Sequence, residues 1–289
     1  MFDPLLHKLR LNRAIRRFSP DNAFLMDRVR EELIDRLGAV KREFGVGLAL
    51  GGRTSALSNA MVACGQVGQT LRLEEGPIAA HEACSAFSLG SLPSPNLPLS
   101  DQSVDLVMAP LTLHWSNDLP GLIADIARVL RPDGLFLAAL PGPETLHELR
   151  SALLQAESEA TGSAALRVDP FTSVQDAGSL LQRAGLALPV VDQDVLTVRY
   201  GAVSGLVRDL RHFGASAHFA NRPPPLARGA CEKLEAVYWN QFRDADKRLR
   251  ATFQMIYLSG WKPHESQQKP ARRGSAQISL VDVLERKAD

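Results

Sequence analysis

The sequence predicts an α/β protein with a Rossmann-like, doubly wound sheet and helical additions. The first observation behind that reading is residues 103–140, SVDLVMAPLTLHWSNDLPGLIADIARVLRPDGLFLAAL, which hold a strand, loop, helix, turn and strand in order. Val104 to Met108 is a short apolar run without a helical stripe, whereas Leu122, Ile123, Ile126, Ala127, Val129 and Leu130 recur near helical spacing. Arg131, Pro132, Asp133 and Gly134 stop that helix, and Leu135 to Leu140 forms a second buried run. The second observation is FGVGLALGG at residues 44–52, an apolar strand that ends on glycines. The third is that strand and helix patterns keep alternating along the chain. Parallel strands covered on both faces follow, with a ligand crevice at their carboxyl ends. The loop at residues 109–118 occupies such an end.

Taken in order, residues 1–37 read as one or two helices, with Leu5, Leu6 and Leu9, then Phe24, Leu25, Val29, Leu33, Ile34 and Leu37 at mixed three and four spacings. We expect a helical cover over residues 1–40 and the main domain over 41–289. Arg10, Arg13, Arg16 and Arg17 form a basic group that reads as a solvated helix face or as a contact for an acidic partner or anionic lipid. The second strand candidate is residues 68–75, which ends on Glu74 and Glu75. Residues 81–99 are rich in Pro, Ser and Gly and read as loop.

Beyond the opening unit, residues 141–160 place Glu144, His147, Glu148 and Arg150 on a helix whose apolar side carries Leu146, Leu149, Leu153 and Leu154. Thr172 or Ser173 can cap a helix that Gly185 ends. A strand over 188–200 and a helix over 201–214 follow; NRPPPLARG is a connector, and 231–242 is a further helix. Residues 201–250 together read as a helical insertion. Phe253, Met255, Tyr257 and Leu258 suit a last strand, and residues 260–289 carry Trp261, Lys262, His264, Glu265, Lys269, Arg272 and Arg273. That segment is too polar for a core yet holds a tryptophan.

Bulk properties narrow the function. Hydrophobic residues at 45% and charged residues at 22% are ordinary globular values, so disorder is not expected. The net charge of +1 gives no electrostatic case for nucleic acid. Cys64, Cys84 and Cys231 are odd in number and far apart, which argues against a disulfide framework and a zinc site. No run approaches the roughly 20 apolar residues of a membrane span. G-x-S-x-G, H-E-x-x-H and G-x-x-x-x-G-K are all missing, so hydrolase and nucleotide triphosphatase readings are weak, and no metal site is expected.

At LHWSNDLPGLIADIARVLRPDG, PETLHELR, DPFTSVQDAGSLLQRAG and SGWKPHESQQKPARRGSA the chain resembles the NADH dehydrogenase (complex I) assembly factor 5 family. That family has the class I S-adenosylmethionine-dependent methyltransferase fold. Its broader relatives resemble the malonyl-acyl-carrier-protein methyltransferases of biotin synthesis. The resemblance begins at Phe2 and Asp3, so the basic amino-terminal segment is read as part of the fold, not as a transit peptide, and the protein is expected in the cytoplasm. The resemblance implies S-adenosylmethionine as cofactor and a protein side chain as substrate, in the nearest family an arginine of a complex I subunit that is hydroxylated.

The resemblance also implies positions for the site. Gly51 matches the first glycine of the cofactor turn, with Gly52 beside it, but Arg53 and Ser55 stand where the next two glycines would be, and Ala49 stands where an acid would orient the cofactor's ammonium group. Side chains in such a turn obstruct close approach of a ligand to the backbone. Glu74 or Glu75 would accept hydrogen bonds from the ribose hydroxyls, Asn96 would replace the aspartate that recognises adenine, and Leu111 would contact the cofactor. His114 and Trp115 sit at the crevice, where an imidazole can act as a base and an indole can stack on a planar group. Packing beneath the loop is the alternative for both, and Asn117 and Asp118 can cap the following helix. His147, Trp261, His264 and Glu265 would meet substrate or partner. Two functions follow: an enzyme of this fold acting on a protein side chain, or a binding protein that kept the fold and lost the cofactor. Small-molecule carboxyl methylation is a third.

Overall fold

The computed structural model describes residues 1–17, 23–74, 86–88 and 96–268. Seven strands, β1 (Phe44–Leu50), β2 (Val67–Glu74), β3 (Ala86–Ser88), β4 (Val104–Pro110), β5 (Leu130–Pro141), β6 (Ala187–Tyr200) and β7 (Leu249–Trp261), form one sheet in the order β3-β2-β1-β4-β5-β7-β6. The first five in sequence pair in parallel, and β7 runs antiparallel between β5 and β6. The expected doubly wound sheet is therefore present, with its order reversing between β1 and β4. Helices α1 (Pro4–Arg16), α2 (Phe24–Gly38), α3 (Ala56–Ala63), α4 (Leu119–Val129), α5 (His147–Thr161), α6 (Val174–Arg183), α7 (Val203–His212) and α8 (Arg228–Phe242) complete the described chain.

The central strands are buried on both faces because side chains alternate across a sheet. Leu106, Met108, Leu135, Leu137, Met255 and Tyr257 join one core with Leu25, Val29, Leu33 and Leu37 of α2. Val107, Ala109, Phe136, Ala138, Leu140, Ile256 and Leu258 join the other, with Leu122, Ile123, Ile126 and Val129 of α4. Those four α4 side chains have no exposed surface. At about 2 kcal/mol each as an upper bound, they alone are enough to dock the helix. Asp118 caps it by accepting from the Gly121 N–H at 2.9 Å, while Ser173 caps α6 by accepting from Asp176. Asn117, a candidate cap, does something else: its side chain receives the Phe2 N–H at 2.8 Å and donates to the Phe2 carbonyl at 3.0 Å.

The turn predicted at Arg131–Gly134 is absorbed into β5 as an irregular stretch, since Val104 pairs with Leu130 and Leu106 already with Leu135. Asp133 there has φ 63°, and a Cβ on Gly134 would meet the Arg131 carbonyl at 2.8 Å. The residues after β7 close on this bulge. Lys262 exchanges backbone hydrogen bonds with Gly134 and Asp133 and donates from Nζ to the Ala127 carbonyl at 2.7 Å. Gln267 donates to Asp133 Oδ1 at 3.0 Å and to the Lys262 carbonyl at 2.8 Å. Arg42 pairs with Asp133 and lies over the Phe44 and Trp261 rings. The polar motif of the carboxyl-terminal segment, as far as residue 268, is a clasp at the foot of the sheet.

At the other end of the strands, residues 142–148 are stapled to β7. Gln254 Oε1 accepts from the Glu144 N–H at 2.9 Å, Thr145 Oγ1 donates to the Gln254 carbonyl at 2.9 Å, and Leu146 N–H donates to the Thr252 carbonyl at 2.7 Å. Glu148, with no exposed surface, accepts from Thr252 N–H at 3.1 Å and Thr252 Oγ1 at 2.5 Å. Removing that carboxylate orphans two buried donors. Glu148→Ala should cost about 2–4 kcal/mol, measured by urea unfolding, with Glu148→Gln recovering part of it.

Candidate active site

The site begins where β1 meets β4. Gly51 has φ 75°, and a Cβ there would come within 2.1 Å of Thr112 Oγ1, so no side chain fits between the two turns. Gly52 follows at φ 110°, and Arg53 holds φ 66° although it is not glycine. Three successive residues thus keep the left-handed backbone that a glycine-rich turn uses. The Arg53 N–H donates to Glu74 Oε2 at 3.0 Å, and Glu74 Oε1 accepts from Arg72 at 2.9 Å. Arg72 is 1% exposed and Glu74 5%. Burial pushes the Glu74 carboxyl upward, against the pull of Arg72 and the Arg53 N–H. This pair fixes the end of β2 to the turn after β1.

The Arg53 guanidinium reaches across the crevice to the carbonyls of His212 and Phe213 at the end of α7. Its carbon lies 5.8 Å from the centre of the Trp115 ring. Three adjoining hollows share Arg53 and Met26 as walls. One, about 310 Å³, is bounded by Gly51, Gly52, Glu74, Leu111 and Thr112, with Leu11 and Ile15 of α1 above. The largest, about 780 Å³ including its mouth, is mostly apolar and lies over the ends of β4 and β5. His114, Trp115, Phe171 and Phe253 line it beside Thr145, Arg167 and Asp169. Leu111, at φ 45° with its N–H on the Ala139 carbonyl at 3.0 Å, faces both of these hollows.

A methyltransferase domain family matches residues 62–138, which cover the chain from α3 into β5. Arginine-hydroxylase NDUFAF5 of Homo sapiens is 36% identical over 298 residues, covering 98% of this chain and 83% of that protein. The chain belongs to the NDUFAF5 family. The Danio rerio member is 43% identical over 187 residues, 65% of this chain and 58% of its own length. A malonyl-[acyl-carrier protein] O-methyltransferase of Methylovorus sp. (strain MP688) is 33% identical over 282 residues, covering 90% of each chain. The solved structure of the YcgJ protein from Bacillus subtilis shares the fold, with TM-score 0.54 at 12% identity, over 81% of this chain and 99% of that one.

In this NDUFAF5-family chain, Gly51, Gly52, Glu74, Leu111, His114 and Trp115 come together at the ends of β1, β2 and β4. Glu75 lies outside the described residues. Asn96 is exposed, has φ 109° and donates its backbone N–H to Asp125 of α4, and it lines none of the three hollows. His147 begins α5 with Nδ1 3.0 Å from the Glu144 carbonyl, and its neighbours Thr145, Leu146 and Leu149 line the cavity instead. Trp261 pairs with Leu135 at the foot of the sheet while Met255 pairs with Pro141 at the crevice. Six residues of strand, about 20 Å, separate them. His264, whose Nδ1 is 2.7 Å from Ser266 Oγ, and Glu265 follow Trp261 at that foot, so none of the three can touch a substrate in the crevice. The site residues not foreseen are Arg53 as a wall, Met26, Thr145, Arg167, Asp169 and Phe171.

A cluster of aromatic rings forms the side of the cavity. His114 and His7 each sit 4.4 Å from Trp115, ring centre to ring centre, and His218 sits 4.6 Å from both His7 and Phe2. Burial lowers His7 and His218 to about 4, helped at His7 by Arg53 and at His218 by His7. His114 falls well below its ordinary value through burial and the charges of His7, His218 and Arg53. Its open surface faces the cavity, and it stays an uncharged imidazole at neutral pH. Asp169 moves the other way, raised to about 6 by burial although Arg10 opposes this, and its Oδ1 is buried without a hydrogen bond.

These shifts set the acid stability. A histidine whose folded value is depressed stabilises the fold above its unfolded value and loses that contribution as pH falls from about 6.5 toward 4. Asp169 works oppositely, gaining a proton in the folded state between about 6 and 4, but it is one group against several. Between pH 7 and pH 5 the wild type should lose about 1 kcal/mol or more per buried histidine, less the Asp169 offset. Urea unfolding of wild type and His218→Asn at both pH values checks it. An equal loss in the two proteins would contradict the assignment.

Proposed function

We propose that this chain is an enzyme that binds S-adenosylmethionine in the hollow at Gly51, Gly52 and Glu74 and modifies an arginine side chain presented to the larger cavity, in a subunit of respiratory complex I. The observation that carries the reading is the adjacency of the two hollows, which share Leu111, Arg53 and Trp115. The human and zebrafish relatives named as arginine-hydroxylases supply the substrate class.

The residues of the smaller hollow fit the cofactor. The backbone at Gly52 leaves room for close approach, with nothing nearer than 3.7 Å to a Cβ built there. Glu74 Oε1 accepts from both Nε and Nη2 of Arg72, at 3.3 and 2.9 Å, while Oε2 accepts from the Arg53 N–H alone and keeps a lone pair for a ribose hydroxyl. S-adenosylmethionine, when bound, supplies a sulfonium methyl group to a nucleophile. On the substrate side, Trp115 and Phe171 offer flat apolar walls to a guanidinium plane. His114, kept neutral, can accept a hydrogen bond or the proton a guanidinium releases. Methyl transfer needs no further reagent, whereas hydroxylation needs dioxygen and a two-electron reductant, and the name shared by the relatives favours it.

Calorimetric titration with S-adenosylhomocysteine tests the cofactor site: saturable binding is expected, and its complete lack would leave the binding-protein reading. Incubation with an arginine-bearing subunit peptide, read by mass spectrometry, separates a product heavier by one oxygen from one heavier by a methylene group. A malonyl-thioester that turns over in place of the peptide would move the chain to carboxyl methylation. His114→Ala should lower product formation by about a hundredfold and leave homocysteine-nucleoside binding within about threefold of wild type, because His114 lies on the substrate side.

A further inference from the structure

Among the described residues, Asp169 is the one acid that lines the larger cavity. It is 9% exposed, and its Oδ1 has no hydrogen bond. Arg10 attracts it through charge alone, and Arg10 Nη1 is itself buried without a hydrogen bond. The cation nearest in sequence, Arg167, shares the cavity wall but donates to Glu157 Oε1 at 2.5 Å and to the Pro224 carbonyl at 2.8 Å. Asp169 is thus held by no bond that the fold requires. Pro170 follows it and disfavours helical backbone at Asp169, and Phe171 then sets its ring 6.4 Å from the His114 ring in the same cavity. Burial raises the carboxyl to about 6, so at neutral pH it carries a charge whose desolvation is incompletely offset. A cation entering the cavity would complete that offset.

We propose that Asp169 is the guanidinium-recognition residue of the larger cavity, pairing its carboxylate with two parallel N–H groups of the substrate arginine while Phe171 and Trp115 take the faces of the plane. The proposal rests on the arginine reading above and names the group that selects that side chain. A guanidinium fork matches a carboxylate with two charge-assisted hydrogen bonds, each roughly twice as strong as a bond between neutral groups. The apolar lining strengthens them further. Aspartate has broad freedom about its Cβ–Cγ bond, so either oxygen can turn to meet the incoming group. His114, uncharged in the same wall, adds no repulsion. The same negative charge works against an anionic substrate, so the free carboxylate of a malonyl group is disfavoured where a guanidinium is accepted.

The test compares acetyl-glycyl-arginyl-glycinamide with its citrulline counterpart, in which a neutral urea of nearly the same shape replaces the guanidinium. Titrated into the full chain with S-adenosylhomocysteine present and followed by chemical shift, the arginine peptide should bind wild type at least about tenfold more tightly. Asp169→Asn should erase that difference and leave the citrulline peptide's affinity unchanged, while Asp169→Glu keeps part of it. Retained discrimination in Asp169→Asn overturns the proposal. If wild type binds both peptides equally, the Asp169 assignment fails, and the arginine reading stands or falls separately on the product seen by mass spectrometry. If wild type binds neither, the reading of the cavity as an arginine site fails and takes this proposal with it. Stability supplies a readout that a structural role would move the other way. A group whose folded value is raised costs the fold stability once it is ionised, so at pH 8 Asp169→Asn should melt at or above the wild-type temperature. A lower melting temperature, or failure to fold, assigns the carboxylate to the fold and overturns the proposal.

Discussion

The rest of the structure depends on the approach of two turns, one after β1 and one after β4, at the place where the strand order reverses. Gly51 and Thr112 come so close that a methyl group cannot be placed between them. Because the order reverses there, the connections leave β1 and β4 toward opposite faces of the sheet, α3 to one core and α4 to the other, and open a crevice at the strand ends. Each side chain later assigned to the site is brought to it by one of these strand ends or by a helix laid across them. Leu111 follows β4, Glu74 closes β2, and Leu11, Ile15 and Met26 come from the amino-terminal helices.

Charge in this crevice is managed by committing each ion to a partner. Arg72 and Glu74 are buried together, a costly arrangement that persists because each satisfies the other and Glu74 also receives a backbone N–H. Arg167 is tied to Glu157 at 2.5 Å and to the Pro224 carbonyl at 2.8 Å. The histidines avoid the problem by staying neutral. Asp169, with Oδ1 lacking any hydrogen bond, is the exception, its desolvation opposed by the charge of Arg10 alone.

Much of this was legible in the sequence. The apolar period of Leu122, Ile123, Ile126 and Val129 specifies both α4 and the face it buries, and Asp118 and Ser173 act as caps because short oxygen-bearing side chains reach the free N–H groups of a first turn. The turn at Gly51 and the loop at His114 follow from strand ends, which local pattern locates well. What was not legible is direction and long-range assembly. Nothing near Arg53 announces that its side chain crosses to α7, and His7, His114 and His218 meet from three distant parts of the chain. The position of the carboxyl-terminal motif was not legible either: β7 runs antiparallel, so the residues that follow it emerge at the foot of the sheet and not at its crevice.

That reversal gives the molecule two rims with separate duties. The foot is closed by Lys262, Gln267, Asp133 and Arg42, a set of bonds whose partners are fixed by backbone position. The upper rim is made of side chains from the strand ends, the loops after them, the amino-terminal helices and α7. The larger cavity takes Leu111, Leu146, Leu149, Phe253 and Met255 from the core on the α2 side, whereas the core around α4 and the clasp contribute nothing to it, so change at the upper rim leaves those two intact.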